Sequence, residues 1–162
     1  MTADDPLQCP AMTEPDPRAK QILRDVFGYT SFRGQQAEIV DHLAAGGDAL
    51  VLMPTGGGKS LCYQLPALVL PGVTVVVSPL IALMKDQIDG LRLAGFPAGA
   101  LHSGVPADEA SRTWRAVQQG KIRLLMVAPE RLLLDGFMSM LSSLSREGGE
   151  GAVAAVVVDE AH

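Results

Sequence analysis

From residue 46 onward the chain alternates between short, continuous apolar runs and longer stretches whose apolar residues recur at helical spacing. The runs fall at residues 49–53, 74–77, 98–101, 122–127 and 153–158. Because they are continuous rather than alternating, they predict strands covered on both faces, as in a parallel sheet. Helices are predicted in the intervals: residues 61–70, residues 80–93 with Ser78 and Pro79 leading in, residues 107–119 ended by Gly120, and residues 132–144 with a break near Gly136. Pro66 falls inside the first of these, where it can shorten or kink the helix.

Two further helices precede the first run. Asp16 can cap a helix with Pro17 at its first position, Ala19, Ile22, Leu23 and Val26 on its apolar face, and Gly28 as its terminator. The second covers residues 35–45 and stops at Gly46. Residues 1–15 carry Pro6 and Pro10 with little periodicity and are expected to form a disordered tail, leaving residues 16–162 as the folded unit. The charged, Gly-rich stretch 146–151 is expected to be a mobile surface connection. The whole pattern predicts one α/β domain, a doubly wound and mostly parallel sheet flanked by helices. A length of 162 residues leaves no room for a second domain of that size.

Composition sharpens this picture in three respects. Apolar residues make up 48% of the chain, enough for a packed core. Cys9 and Cys62 offer neither a disulfide framework nor zinc-ligand spacing, so reduced thiols and a cytoplasmic location are expected. The longest apolar stretch, residues 73–84 with Ser78 and Pro79 interrupting it, is too short for a bilayer, which needs about 20 residues. No signal-peptide pattern opens the chain, and no membrane partner is expected. The net charge of −5 argues against general adhesion to nucleic acid, so any such contact must be local.

The segment MPTGGGKS follows an apolar run and opens a helix. In that context Gly56, Gly57 and Gly58 let the backbone curl so that its N–H groups face inward, a nest for anionic oxygens beside a helix N-terminus. Lys59 can then reach the β- and γ-phosphates of a nucleotide, and the Ser60 hydroxyl can ligate Mg2+. Met53 stands where the usual phosphate-loop pattern has its first Gly; Thr55 completes the loop. Residues 153–158 run into Asp159 and Glu160, and an Asp at a strand's carboxyl end can hold the metal while the adjacent Glu polarises water. Together the two segments describe one pocket for ATP and Mg2+ in a P-loop, RecA-like domain. His42 and His102 lie away from both and are expected on a helix surface and in a loop, and Trp114, in phase with Ala107, Ala110 and Val117, is expected in the core.

With DEAH at residues 159–162, the sequence resembles superfamily 2 helicases, and within them the RecQ family. PTGGGKSLCYQLPAL at residues 54–68 is similar to that family's motif I, SPLIALMKDQ at 78–87 to motif Ia, APERL at 128–132 to motif Ib, and FGYTSFRGQQAEI at 27–39 to its adenine-reading motif. The resemblance implies that Tyr29 stacks on the base, Arg33 contacts the nucleotide and Gln36 hydrogen-bonds the adenine edge. Gly34 and Gln35 depart from the Pro and Gly usual there. It implies Lys59, Asp159 and Glu160 as catalytic residues, Ser60 and Asp159 at the metal, and Ser78, Pro79, Lys85, Ala128, Pro129 and Glu130 along single-stranded DNA. It further implies a 3′–5′ DNA helicase that also meets duplex DNA and whose arginine finger comes from a second RecA-like domain in cis. That domain is missing from these residues, which also stop before the first domain is complete, so the chain alone is expected neither to unwind DNA nor to turn over ATP. An RNA helicase of another superfamily 2 branch, or a non-catalytic nucleotide-binding module, are the alternatives left open.

Overall fold

The computed structural model describes residues 16–147 and 151–160. The expected tail, the core of the 146–151 connection, and Ala161 and His162 lie outside the described residues.

Helix α1 (Pro17–Asp25) starts as the sequence requires: Asp16 Oδ1 accepts from the Arg18 N–H at 2.8 Å, and Pro17 occupies the first turn, where a missing N–H costs nothing. Gly28 follows at φ 70°, with its N–H bonded to the Arg24 carbonyl. Helix α2 (Gln36–Ala44) ends one residue short of the expected bound, and Gly46 turns the chain at φ 85°. Both pack on α3 (Lys59–Val69) through Ala19, Leu23, Val40, Leu61 and Leu65, a small core of their own. Pro66 sits inside α3 without ending it. Its ring removes one helical donor, and the Leu70 N–H closes the last turn on the Pro66 carbonyl at 2.8 Å.

The sheet is built from β1 (Val73–Val77), β2 (Ala98–Leu101), β3 (Leu124–Val127) and β4 (Val153–Val158), in the order β2-β3-β1-β4 with every pairing parallel. Between them run α4 (Ile81–Leu93), α5 (Ala107–Gln118), α6 (Pro129–Leu132) and α7 (Phe137–Glu147). Alternate strand residues face opposite layers. Val76, Leu124 and Met126 meet Tyr63 and Ala67 of α3 and Met84, Ile88 and Leu91 of α4. Val73, Val75, Leu125 and Val127 meet Val117 of α5 and Phe137 and Leu144 of α7. Covering both faces is what makes the strand sequences apolar without alternation. Trp114 packs partly buried against Phe137, ring centroids 5.9 Å apart.

The break expected near Gly136 is present, at φ 86° between α6 and α7, although the first of these two helices already starts at Pro129. Two expectations need correction. The strand expected at 122–127 begins at Leu124, since Arg123 directs its N–H to the Pro97 carbonyl before regular pairing starts. The apolar run at 49–53 forms no strand. A strand needs a hydrogen-bonded neighbour, and among the described residues β4 pairs with β1 alone. A cleft of about 480 Å³ lies between residues 49–53 and β4, lined by Leu50, Val51 and Leu52 on one side and by residues 154–158 on the other. Leu50 and Leu52 are 87% and 86% exposed. Among the described residues no helix is long and apolar enough to cross a membrane.

The contrast between the two apolar runs is measurable by denaturant unfolding. Leu124, fully buried in β3, should cost about 2–5 kcal/mol on truncation to Ala. Leu52→Ala should change stability by no more than about 0.5 kcal/mol, since almost nothing packs on it.

Candidate functional site

The phosphate loop joins residues 49–53 to α3. Gly56 and Gly58 take φ of 80° and 81°, a region that side chains disfavour, and the Gly57 N–H bonds back to the Pro54 carbonyl at 2.9 Å. A Cβ on Gly57 would lie 2.9 Å from that carbonyl, and one on Gly58 would run into the Gln36 amide, so the loop closes only as glycine. Thr55 and Gly56 are exposed at its crest, while Met53 packs beneath Gly57. Cys62, one turn into α3, lies 3.9 Å from the Gly58 carbonyl and 4.0 Å from Met53 Sδ. Burial pushes its thiol pKa up, so Cys62 is an uncharged packing residue.

The carboxyl end of β4 delivers the acidic pair to this loop. The Asp159 N–H bonds to the Val77 carbonyl at 2.9 Å, continuing the β1–β4 ladder by one residue. Glu160 then turns at φ 54°, the one non-glycine among the described residues with positive φ, a conformation costing roughly 1–3 kcal/mol. Its carboxylate reaches Lys59 Nζ at 3.6 Å, and its N–H bonds to Asp159 Oδ1 at 3.0 Å. Lys59, Asp159 and Glu160 thus form one group at the end of the 480 Å³ cleft.

Two residues that the motifs alone do not single out complete the group. Tyr63, one turn after Lys59, directs its hydroxyl to Asp159 Oδ2 at 3.3 Å and to Gln87 Oε1 at 3.1 Å. Gln87, on α4, donates from Nε2 to Ser60 Oγ at 3.3 Å, and Gln64 Nε2 approaches its Oε1 at 3.5 Å. The signal was present in phase: Gln87 falls three residues after Met84 and one before Ile88, on the flank of the buried face of α4, where a polar side chain needs partners. Burial, with the Asp159 charge adding to it, pushes the Tyr63 hydroxyl up to about 12, so it is a donor at neutral pH.

These residues suit a triphosphate with Mg2+. The loop keeps its curl only as glycine, because a Cβ at Gly57 or Gly58 would meet the Pro54 carbonyl or the Gln36 amide, and such a glycine-rich curl before a helix suits an anion, while Ser60 and Asp159 supply hard oxygen donors. Among the described residues no three His, Cys, Asp or Glu side chains gather to hold a metal by themselves.

The expected adenine residues lie on the turn before α2. Tyr29 is half exposed, with the Arg33 guanidinium 5.9 Å above its ring. Gln36 is buried: its Oε1 accepts from the Arg33 N–H at 2.8 Å and its Nε2 donates to the Gly58 carbonyl at 3.2 Å. It therefore braces the Arg33 turn against the phosphate loop. None of these three lines the 480 Å³ cleft. The expected DNA residues follow strand ends: Pro79 and Lys85 are exposed beyond β1, and Pro129 and Glu130 beyond β3, while Ala128 is fully buried. The Ser78 hydroxyl is buried without a hydrogen-bond partner, and its N–H bonds to the Val127 carbonyl at 3.1 Å.

The pattern of the family described as DEAD/DEAH box helicase matches residues 33–162. The chain is 42% identical over 146 residues to an ATP-dependent DNA helicase RecQ of Haemophilus influenzae, covering 90% of the chain and 22% of that protein. It is 45% identical over 148 residues to ATP-dependent DNA helicase Q-like 5 of Arabidopsis thaliana, covering 91% and 15%, and 40% identical over 146 residues to the RecQ helicase of Bacillus subtilis, covering 90% and 24%. It spans about a fifth of the length of the curated relatives it matches.

The buried Tyr63 hydroxyl gives a signature in alkali. Its folded pKa lies above the usual tyrosine value, so between about pH 10 and 12 the unfolded chain loses this proton while the folded chain keeps it, and stability falls as pH rises through that window. Urea midpoints measured at pH 8 and pH 11.5 should show this fall, at most about 2–3 kcal/mol, and Tyr63→Phe should remove that part of it.

Proposed function

The chain belongs to the DEAD/DEAH box helicase family, and we propose that it is the first motor domain of a RecQ-type, ATP-dependent 3′–5′ DNA helicase, holding Mg-ATP and a single DNA strand. The observation that carries this reading is the meeting of the phosphate loop with the end of β4, where Lys59 stands 3.6 Å from Glu160 and Asp159 shares the Tyr63 hydroxyl. In this reading the loop N–H groups and the α3 N-terminus receive the phosphates, and Lys59 exchanges its contact with Glu160 for phosphate oxygens. Ser60 and Asp159 hold Mg2+, which when bound neutralises charge on the phosphates. Glu160 orients water and takes its proton. Tyr29 and Arg33, exposed beside the loop, offer a stacking face and a cation to the base, while Gln36 links that turn to the loop backbone.

A DNA strand would cross the ends of β1 and β3, meeting Pro79, Lys85, Pro129 and the α4 N-terminus. Its contact is local, as the acidic net charge demands. The arginine that stabilises the transferring phosphate is assigned to a second domain, so this chain carries half of the catalytic machinery.

Nucleotide binding and turnover separate these statements. The chain should bind a fluorescent ATP analogue with Mg2+, and Lys59→Ala should weaken that binding by about tenfold or more, in line with the loss of a charge-assisted contact. Hydrolysis by the 162 residues should stay at background with oligothymidylate present. Turnover stimulated by DNA would overturn the half-site assignment, and stimulation of a longer product containing this chain by RNA in place of DNA would overturn the DNA reading.

A further inference from the structure

The contact between Gln87 and Ser60 crosses from one motif to another. Gln87 belongs to α4, the helix that follows the Ser78–Pro79 turn, whereas Ser60 and Tyr63 belong to α3 and Asp159 to the end of β4. One amide therefore sits at the meeting point of three elements. Its Nε2 occupies one lone pair of the Ser60 hydroxyl at 3.3 Å and its Oε1 faces the Tyr63 hydroxyl at 3.1 Å, while that same hydroxyl lies 3.3 Å from Asp159 Oδ2. Tyr63 has a single proton for two acceptors, so Gln87 and Asp159 compete for it.

Resting on the functional reading above, we infer that Gln87 is a positioning residue for the Mg2+ site. Its contact with the Ser60 hydroxyl leaves that oxygen's second lone pair for the ion, and through the shared Tyr63 hydroxyl it limits how the Asp159 carboxylate can turn. Partners one shell removed from a metal act by orienting the ligands, and their loss weakens the metal rather than the fold. Neither Gln87 nor Tyr63 needs to touch the nucleotide.

The test is the affinity of the chain for a fluorescent ATP analogue, measured with excess MgCl2 and again with EDTA, in the natural sequence and in Gln87→Leu, Tyr63→Phe and the double variant. The ratio of the two affinities is the readout, because a defect of folding or of the loop would lower both. Gln87→Leu should reduce the Mg2+-dependent gain by about tenfold while the affinity in EDTA stays within about twofold. Tyr63→Phe, which removes one oxygen and keeps the ring, should reduce it in the same direction. The double variant should fall little below Gln87→Leu alone, since both act through one network. Equal losses with and without Mg2+, or no loss in either variant, would overturn the inference and leave the nucleotide site standing. Absence of Mg2+-dependent binding by the natural sequence would overturn both.

Discussion

Parallel pairing on both sides of β1 is the constraint on which the site depends. Strands that run the same way end on the same side of the sheet, and the register matches Val77 with Val127 on one flank and Val158 on the other. Ser78, Ala128 and Asp159 therefore emerge side by side, each tied by its N–H to the last carbonyl of a neighbouring strand. Nothing in the local sequence of any one motif brings these residues together. The ladder does, and the buried aliphatic layers on both faces of the sheet hold the ladder in register.

Against that frame the phosphate loop is braced from two directions. Gln36 reaches across from the start of α2 to the Gly58 carbonyl, and Lys59 is drawn toward Glu160 at the end of β4. The partly exposed Lys59–Glu160 pair adds little stability by itself, about 0–1 kcal/mol at most, and Glu160 adopts a left-handed backbone to make it. Such local cost is sustained by the well-packed strands behind it, and it concentrates at the residue assigned to handle the attacking water.

Much of this was legible in the residues. Continuous apolar runs disclosed the buried strands β1, β2 and β3 and the partly exposed outer strand β4, and Asp16, Gly28 and Gly46 marked helix ends where the structure has them. Residues 49–53 misled because an apolar run reports the wish for burial and says nothing about whether a partner strand is present to bond with. The double engagement of Gln36 was out of reach for a related reason: side-chain hydrogen bonds between residues 22 positions apart follow from packing, which spacing does not encode. The phase of α4 marks Gln87 as a polar residue in need of partners, but that the partner is Tyr63, 24 positions away, was hidden likewise, although both lie within stretches that had been singled out for other residues.

The cleft beside β4 has a consequence for how the molecule behaves in company. Val156 and Val158, 66% and 63% exposed, stand on a strand that among the described residues pairs on one side only, opposite a second apolar segment that forms no strand. Most proteins blunt such an edge with lysines, proline or a covering helix, and here the segment VAAVVV has none of the first two. It is a template for any extended chain that comes within reach, including another copy of itself. Among the described residues the outer strands of the sheet are β2 and β4, and of the two it is β4 that carries exposed valines, so association along that border would leave every buried contact in the sheet intact.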